Sequence, residues 1–361
     1  MKYIIKIYLL LIISVAIISC GEERTDDTVA SKKHPNVILL IGDGMGLSQL
    51  SAAFYYGKSE SNFARFKEVG LIVTSSAIEN ITDSGAGGTA FANGERTFNS
   101  FIGVNLDSVA IRNLVDVLSK KGYKTGIIST SSVTHATPAC FYAHVVDRGM
   151  QDKIAEQLVD SEIDFFAGGG TSFFSNRKDS LDLIKKLSEN GFVVKTDTTS
   201  KKLDHDNKYG FLLAENGMPT MLESRGDFLP EYTKLALDLF SQQQKSFFLM
   251  VEGSQIDWAG HEGNADYLIA EVLDFDKTVG VAMDFAANNN NTLVIVLADH
   301  ETGGFTLAIK DGDYSIIKPT FASSGHSCTL IPVLASGPGA ESFKGIYQNN
   351  EIFHKILAVT N

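Results

Sequence analysis

The sequence has few cysteines, no basic run after its first residues and no internal repeat. Of its 3 cysteines, one is Cys20, so only Cys140 and Cys328 remain for the rest of the chain. This excludes stabilisation by a disulfide framework, although a single bridge between these two residues stays open. The net charge of −12 and the absence of a Lys/Arg cluster argue against a nucleic-acid-binding surface.

Residues 1–19 have the features of a secretory signal peptide. Two lysines precede an apolar core, Ile7 to Ile18, whose length of about 12 residues is short of the roughly 20 that a membrane-spanning helix needs. The core ends at Ile-Ser-Cys, which resembles the lipobox of bacterial lipoproteins, so Cys20 is the expected lipidation site. An ordinary signal peptide with a chance cysteine is the alternative. The polar residues 20–35 would form a flexible tether. We therefore expect an exported protein of the bacterial cell envelope, in the periplasm or at the cell surface, that touches the membrane only through its lipid.

From residue 36 onward, short apolar runs alternate with amphipathic stretches. The apolar runs, which suit strands buried on both faces, are Asn36–Ile41, Lys124–Ser129, Ile163–Ala167, Phe247–Val251, Thr292–Ala298 and Ile331–Ala335. The main amphipathic stretches are Ile111–Lys121, Asp152–Asp160, Leu181–Asn190, Tyr232–Gln243 and Ala265–Asn288. This alternation predicts one α/β domain over residues 36–361, with a mainly parallel central sheet and helices on both faces. The more polar residues, about 171–230, are expected to form an irregular surface insertion.

Acidic residues directly follow three of the predicted strands. Asp43 lies in a tight glycine turn after the first run, Glu252 follows the fourth and Asp299 follows the fifth. Ligands bind beyond the carboxyl ends of parallel strands, so the three acids predict a shared polymetallic site. A dinucleotide-binding turn is a poor alternative, because position 47 is Leu rather than the third glycine and Asp43 would face the pyrophosphate.

Histidines accompany these acids. Asp257 and His261 are four residues apart, so on a helix they share one face and can bind one zinc, although this spacing alone is commoner in surface pairs without metal. Adjacent strand residues point to opposite faces, so Asp299 and His300 can share a metal only where the strand has ended, which the glycine pair after them allows. His326 precedes the last apolar run and can add another imidazole. Taken alone, His300 or His326 is more readily explained as a structural or solvated histidine.

The candidate nucleophile is Ser84, in Asp-Ser-Gly-Ala-Gly-Gly. Small side chains let the start of a helix approach a ligand closely, and its free amides favour an anion. The alternative is a glycine-rich turn in which Asp83 or Ser84 serves as N-cap. No histidine lies beside Ser84 in the sequence, so a metal is the expected activator. Farther along, Arg148 can hold two phosphate oxygens in a bidentate fork, or form a surface ion pair.

Taken together, these segments resemble the alkaline phosphatase family over essentially residues 36–361, and most closely its compact bacterial members. The resemblance implies hydrolysis of small phosphate monoesters by two-zinc in-line displacement through a phosphoserine at Ser84. It also implies two Zn(2+) and one Mg(2+) per chain, and a homodimer. The implied ligands are Asp257, His261 and His326 for one zinc; Asp43, Asp299, His300 and Ser84 for the other; and Asp43, Thr137 and Glu252 for magnesium. Arg148 would bind the phosphate, and Asp83 would orient Arg148.

Three positions depart from the family pattern. His135 stands where some members have an acid, Trp258 where others have Lys or His, and His326 is followed by Ser-Cys. These differences bear on metal preference and phosphate affinity, with His135 a possible ligand or neighbour of the third metal. The implied ions and their four carboxylates would leave a formal charge of about +2, which suits a phosphate dianion.

Three other functions stay open. A sulfatase of the same superfamily would need Cys or Ser in a C/S-x-P-x-R setting, whereas Gly-Ala-Gly follows Ser84. A phosphodiesterase is less favoured, because Thr137, Glu252 and Arg148 together favour a dianionic monoester in the family picture. A non-catalytic phosphate-binding lipoprotein would be expected to have lost some ligand positions, and here every implied position is filled.

Overall fold

The computed structural model describes residues 34–175, 177–197 and 203–361. The strands are β1 (Asn36–Gly42), β2 (Glu68–Val73), β3 (Lys124–Ser132), β4 (Phe165–Gly169), β5 (Phe192–Lys195), β6 (Lys208–Leu212), β7 (Phe247–Gly253), β8 (Thr292–Leu297), β9 (Glu301–Thr302), β10 (Thr306–Lys310), β11 (Asp313–Thr320), β12 (His326–Ser327), β13 (Ile331–Ser336) and β14 (Gly345–Gln348). The α-helices are α1 (Leu47–Tyr56), α2 (Ser84–Asn93), α3 (Leu114–Ser119), α4 (Ala136–Ala139), α5 (Gln151–Val159), α6 (Thr171–Phe174), α7 (Leu183–Glu189), α8 (Phe228–Gln242), α9 (Gln255–Glu262), α10 (Ala265–Asn288) and α11 (Glu351–Val359).

Ten strands form one sheet in the order β14-β2-β13-β8-β1-β7-β3-β4-β6-β5. Strand β13 runs antiparallel to both of its neighbours, and the remaining neighbours in the sheet pair in parallel. The central strands β8, β1 and β7 are buried along their whole length, as expected for apolar strands covered on both faces. The predicted α/β fold with a mainly parallel central sheet is confirmed.

All six predicted apolar strands and all five predicted helical stretches are present, with ends shifted by a few residues. The strands that the sequence did not predict lie near the edges of the sheet or outside it. Of these, β2, β5 and β14 are only partly buried. A strand in such a position does not need the continuous apolar run that marks a central strand.

The segment predicted as an irregular insertion, about 171–230, is more regular than expected. It contributes α6 and α7, and strands β5 and β6, which extend the central sheet beyond β4. The prediction was wrong for these strands because β5 is short and exposed at the sheet edge, and a glycine interrupts the apolar run of β6.

The two cysteines within the described residues are not bridged. Cys140 is a buried thiol and Cys328 an exposed one, so the disulfide left open by the sequence does not form. Among the helices of the described part of the chain, none is long and apolar enough to cross a bilayer. The predicted signal peptide, the lipidation site Cys20 and all but the last two residues of the predicted tether lie outside the described residues.

Candidate active site

The register of the central strands brings the predicted acids to one edge of the sheet. Ile41 at the end of β1 lies beside Glu252 of β7 and beside Leu297 of β8. Asp43 directly follows the last residue of β1, and Asp299 lies two residues after the end of β8. Since parallel neighbours end at the same edge, the three carboxylates converge although more than 200 residues separate the first from the other two.

The first cluster of potential ligands joins Asp257 and His261 of α9 with His326 of β12. Their ligand atoms lie within 4.8 Å of one another, with the two Nε2 atoms 3.1 Å apart and 3.3 and 3.5 Å from the Asp257 Oδ1. The Nδ1 atoms face the carbonyl oxygens of Ser324, at 2.6 Å, and Thr82, at 2.9 Å. A ring that donates from Nδ1 has a free lone pair on Nε2, so both imidazoles are oriented to bind one cation.

The second cluster joins Asp43, Asp299 and His300, whose side chains are wholly buried. The His300 Nε2 lies 3.5 Å from the Asp43 Oδ1 and 3.3 Å from the Asp299 Oδ2. The turn after β1 permits this approach, because Gly44 has a φ of +70° and donates its N–H to the Asp299 Oδ1 at 3.2 Å. A Cβ at Gly44 would lie 2.8 Å from the Asp257 Cα, so the two clusters leave no room for a side chain there.

The third cluster joins Asp43, His135 and Glu252. Buried atoms of all three have no hydrogen-bond partner: both Asp43 oxygens, the His135 Nδ1 and the Glu252 Oε1. The hydroxyl of Thr137, in the short helix α4, is likewise buried without a partner. Buried polar atoms are nearly always paired in proteins, so converging unpaired oxygens are what a cation site presents.

Ser84 is the first residue of α2 and is buried beside the second cluster, with its Oγ 3.4 Å from the His300 Nε2. Asp83 is the N-cap, as the alternative interpretation had it, and its Oδ1 accepts from the Ala86 N–H at 2.9 Å. Its Oδ2 accepts from the Arg148 Nη1 at 3.0 Å. The serine, the cap and the arginine therefore form one connected group at a helix N-terminus, where an anion is favoured.

A profile of the alkaline phosphatase family matches residues 34–322. The chain belongs to this family. Alkaline phosphatase 4 of Bacillus subtilis (strain 168) is 36% identical over 84% of the chain and 71% of that protein. Alkaline phosphatase of Escherichia coli (strain K12) is 27% identical over 92% of the chain and 87% of that protein. The sequence prediction of an alkaline phosphatase is thereby confirmed.

Solved structures of the family agree with the fold. The alkaline phosphatase from the Antarctic bacterium TAB5 has a TM-score of 0.88 and 52% identity, covering 91% of this chain and 98% of that one. A His-to-Asp variant of the TAB5 enzyme, with the same TM-score of 0.88, has magnesium bound in its M3 site. A His-to-Glu variant, at a TM-score of 0.87 and 51% identity, also has magnesium bound in its M3 site.

The electrostatics of the three clusters fit the metal dependence of an alkaline phosphatase. Burial, followed by repulsion from Asp299, raises the pKa of Asp43 well above its usual range, and burial raises the pKa of Glu252 to about 7. Burial also lowers the pKa of His300 and of His135 to about 3, so both rings are uncharged at neutral pH. With both imidazoles neutral, these rings do not balance the negative charge of the buried carboxylates. Divalent cations would supply that positive charge.

Two serines that the sequence did not single out hold Glu252 in place. The Ser129 and Ser254 hydroxyls donate to the Glu252 Oε2 at 2.5 and 2.6 Å, and this leaves Oε1 facing the third cluster. Ser129 lies beside Glu252 in the parallel pair of β3 and β7. A serine in a strand predicted as apolar, such as Ser129 in β3, was the available signal, since a buried hydroxyl needs a partner.

Thr302 is a second residue that sequence reasoning missed. Its hydroxyl donates to the Asp257 Oδ1 and lies 3.2 Å from the His300 Nδ1. It therefore connects the first cluster with the second. Nothing about a threonine before a glycine pair points to this role without the fold, because the contact with Asp257 spans 45 residues.

Proposed function

We propose that this alkaline phosphatase hydrolyses small phosphate monoesters through a covalent intermediate on Ser84. The observation that supports it is the position of Ser84: a buried hydroxyl at a helix N-terminus, 3.4 Å from the His300 Nε2. Its Oγ faces a member of the second ligand cluster, and the residue before it, the helix cap Asp83, is joined to Arg148 at 3.0 Å. A nucleophile, an anion-binding helix end and a guanidinium are the parts that phosphoryl transfer requires.

Each cluster would hold one cation. Asp257, His261 and His326 would bind one zinc, and Asp43, Asp299, His300 and Ser84 the other, since imidazole and carboxylate are typical zinc ligands. Asp43, Thr137 and Glu252 would bind magnesium, which prefers oxygen. When bound, these ions supply the positive charge that stabilises the deprotonated hydroxyl and the developing negative charge on the phosphoryl oxygens.

The chain's own residues would then act in two displacements. The Ser84 Oγ forms a bond to phosphorus while the bond from phosphorus to the ester oxygen breaks, and the alcohol leaves with a proton from solvent. A water next attacks the phosphoserine, which returns inorganic phosphate and the free Ser84 hydroxyl. In both steps Arg148 would bind two phosphoryl oxygens in a bidentate fork, while its contact with Asp83 fixes the orientation of the guanidinium.

His135 would set the metal preference of the third cluster. Its Nδ1 is buried without a partner and its Nε2 lies 3.4 Å from the Arg148 Nη2. An imidazole offers neither an oxygen nor a negative charge, so it would weaken a magnesium site and favour zinc. The magnesium in the M3 site of the TAB5 His-to-Asp and His-to-Glu variants supports this reasoning.

We also propose that the protein is exported, lipid-anchored through Cys20 and homodimeric. The signal-like residues 1–19 and the lipobox-like Ile-Ser-Cys support the first two. Exposed apolar side chains on α1 support the third: Leu47, Phe54 and Tyr55 are 56%, 50% and 66% exposed. Several exposed large apolar side chains on one helix are a feature of protein interfaces.

The test of the reaction is turnover of p-nitrophenyl phosphate beside bis-p-nitrophenyl phosphate by the zinc- and magnesium-loaded enzyme. Preference for the monoester by several orders of magnitude supports the proposal. Preference for the diester would make the chain a phosphodiesterase. Binding of inorganic phosphate without turnover of either substrate would make it a phosphate-binding lipoprotein.

A further inference from the structure

A short turn between α2 and α3 makes more contacts with the site than its sequence suggests. Residues 98–101 form a β-turn closed by the Phe101 N–H and the Phe98 carbonyl at 3.2 Å. Ser100, the third residue of the turn, has a φ of +70°. A positive φ at this position is the hallmark of type II turns and favours glycine, so a serine there indicates that the surrounding contacts hold the turn in place.

The turn binds Asp83 from two directions. The Asn99 Oδ1 accepts from the Asp83 backbone N–H at 3.0 Å, and the Ser100 N–H donates to the Asp83 Oδ2, also at 3.0 Å. The Asn99 Nδ2 donates to the Ile81 carbonyl at 3.1 Å, which ties the turn to the chain just before the helix cap. Both the backbone and the carboxylate of Asp83 are therefore fixed by two adjacent residues.

The same turn also binds Arg148. The Ser100 carbonyl accepts from the Arg148 backbone N–H at 2.8 Å. The Asp83 Oδ2 that accepts from the Ser100 N–H accepts from the Arg148 Nη1 as well. Next to the turn, Ile102 and Val145 exchange two backbone hydrogen bonds of 2.9 Å. Ser100 thus holds the backbone of the arginine directly and its guanidinium through one shared carboxylate oxygen.

We propose that Asn99 and Ser100 are positioning residues that set the direction of the Arg148 guanidinium and thereby the affinity for phosphate. Neither residue belongs to the ligand clusters or to the nucleophile. The inference rests on the proposed role of Arg148 in binding phosphate. Each neutral hydrogen bond lost should weaken phosphate binding by a few fold, so Asn99→Ala, which removes two, should weaken it about 3- to 10-fold.

The experiment measures kcat, KM and competitive inhibition by inorganic phosphate on the metal-loaded enzyme. Asn99→Ala and Ser100→Val should raise KM and the phosphate inhibition constant about 3- to 10-fold with a smaller change in kcat, since a β-branched residue is poorly tolerated at positive φ. Ser100→Gly keeps the backbone contacts and relieves the strain of the positive φ. Its phosphate inhibition constant should therefore equal that of the wild type. Asn105→Ala is the matched control, because the Asn105 side chain accepts from the backbone N–H groups of Asp107 and Val109 within its own turn.

The decisive comparison is a double-mutant cycle with Arg148→Ala. If Asn99 acts through the guanidinium, Asn99→Ala should cause no further loss of phosphate inhibition once Arg148 is alanine. If Asn99→Ala weakens phosphate inhibition as much in the Arg148→Ala background as in the wild type, the inference is overturned. It is also overturned if Asn99→Ala alone has the wild-type phosphate inhibition constant while that of Arg148→Ala is raised. Unchanged inhibition in Arg148→Ala alone would instead overturn the proposed role of the arginine. If Ser100→Val does not fold, the Asn99 cycle still decides the question.

Discussion

The Nε2 atom of His300 lies 3.4 Å from the Oγ of Ser84, although 216 residues separate them. The same Nε2 faces the carboxylates of Asp43 and Asp299 at 3.5 and 3.3 Å. Burial lowers the pKa of His300 to about 3, so the neutral ring is too weak a base to take the proton of Ser84 at neutral pH. Activation of Ser84 must therefore come from charge held by the cluster, which distinguishes this site from a serine–histidine pair.

Ser84→Ala should abolish covalent trapping of phosphate and lower kcat by orders of magnitude, because the nucleophile is lost. Radiolabelled substrate, quenched in acid, detects the phosphoserine. Ser51→Ala is a suitable control, since the Ser51 hydroxyl is on α1 and donates to the carbonyl of Leu47 in the same helix. Near wild-type turnover by Ser84→Ala would rule out the covalent route.

Arg148→Ala should raise KM and weaken inhibition by inorganic phosphate. The lost contact is charged, and such hydrogen bonds contribute roughly 1.5–3 kcal/mol, or about 10- to 150-fold in affinity. Arg148→Lys should fall between alanine and the wild type, because lysine keeps the charge without the bidentate fork. Inhibition constants equal to the wild type in both variants would show that Arg148 does not touch phosphate.

Much of the site could be predicted because its acids directly follow buried strands. An apolar run followed by Asp43, Glu252 or Asp299 identifies both the strand and a candidate ligand, and parallel pairing then brings the three acids together. The i,i+4 spacing of Asp257 and His261 carried the same kind of local information, since both lie on α9.

The supporting contacts could not be predicted, because they depend on tertiary structure and use common residue types. Thr302 reaches Asp257 across 45 residues, and Ser129 reaches Glu252 across 123. Edge strand β5 and the interrupted strand β6 were missed for a related reason: their apolar pattern is weak, and pairing with the sheet decides their structure.

Metal binding should release protons from carboxylates and not from His300 or His135. Burial raises the pKa of Glu252 to about 7, so in the metal-free protein it is mostly protonated at pH 6 and mostly ionised at pH 9. Calorimetry of zinc and magnesium binding in two buffers of different ionisation enthalpy counts the protons. Glu252→Gln should release about one proton fewer than the wild type at pH 6, and the difference should vanish at pH 9. An equal count in both proteins at pH 6 would contradict the raised pKa.

Cys20→Ala should release the protein from the membrane fraction, because the only proposed anchor is the lipid on this residue. Its turnover of p-nitrophenyl phosphate should equal that of the wild type, since the active site lies wholly within residues 34–361. Fractionation followed by immunoblotting measures the release. Retention of Cys20→Ala in the membrane fraction would exclude lipidation at this cysteine as the anchor.

His135→Asp should convert the third cluster into a stronger magnesium site. The ring sits in one group with Asp43 and Glu252, whose unpaired oxygens face it, and a carboxylate there would add the hard oxygen ligand that magnesium prefers. The new carboxylate would also lie near Arg148, whose Nη2 is 3.4 Å from the present imidazole. Its negative charge would weaken the binding of phosphate at Arg148 and so speed product release.

The measurement is magnesium binding by calorimetry to protein that has been stripped with EDTA and given back two zincs, alongside reactivation. His135→Asp should bind magnesium more tightly than the wild type, and His135→Asn should not, because it offers an oxygen without the charge. The wild-type protein should instead take up a third zinc more readily than His135→Asp does. Identical magnesium affinities in the wild type and His135→Asp would show that the side chain at position 135 does not reach the ion.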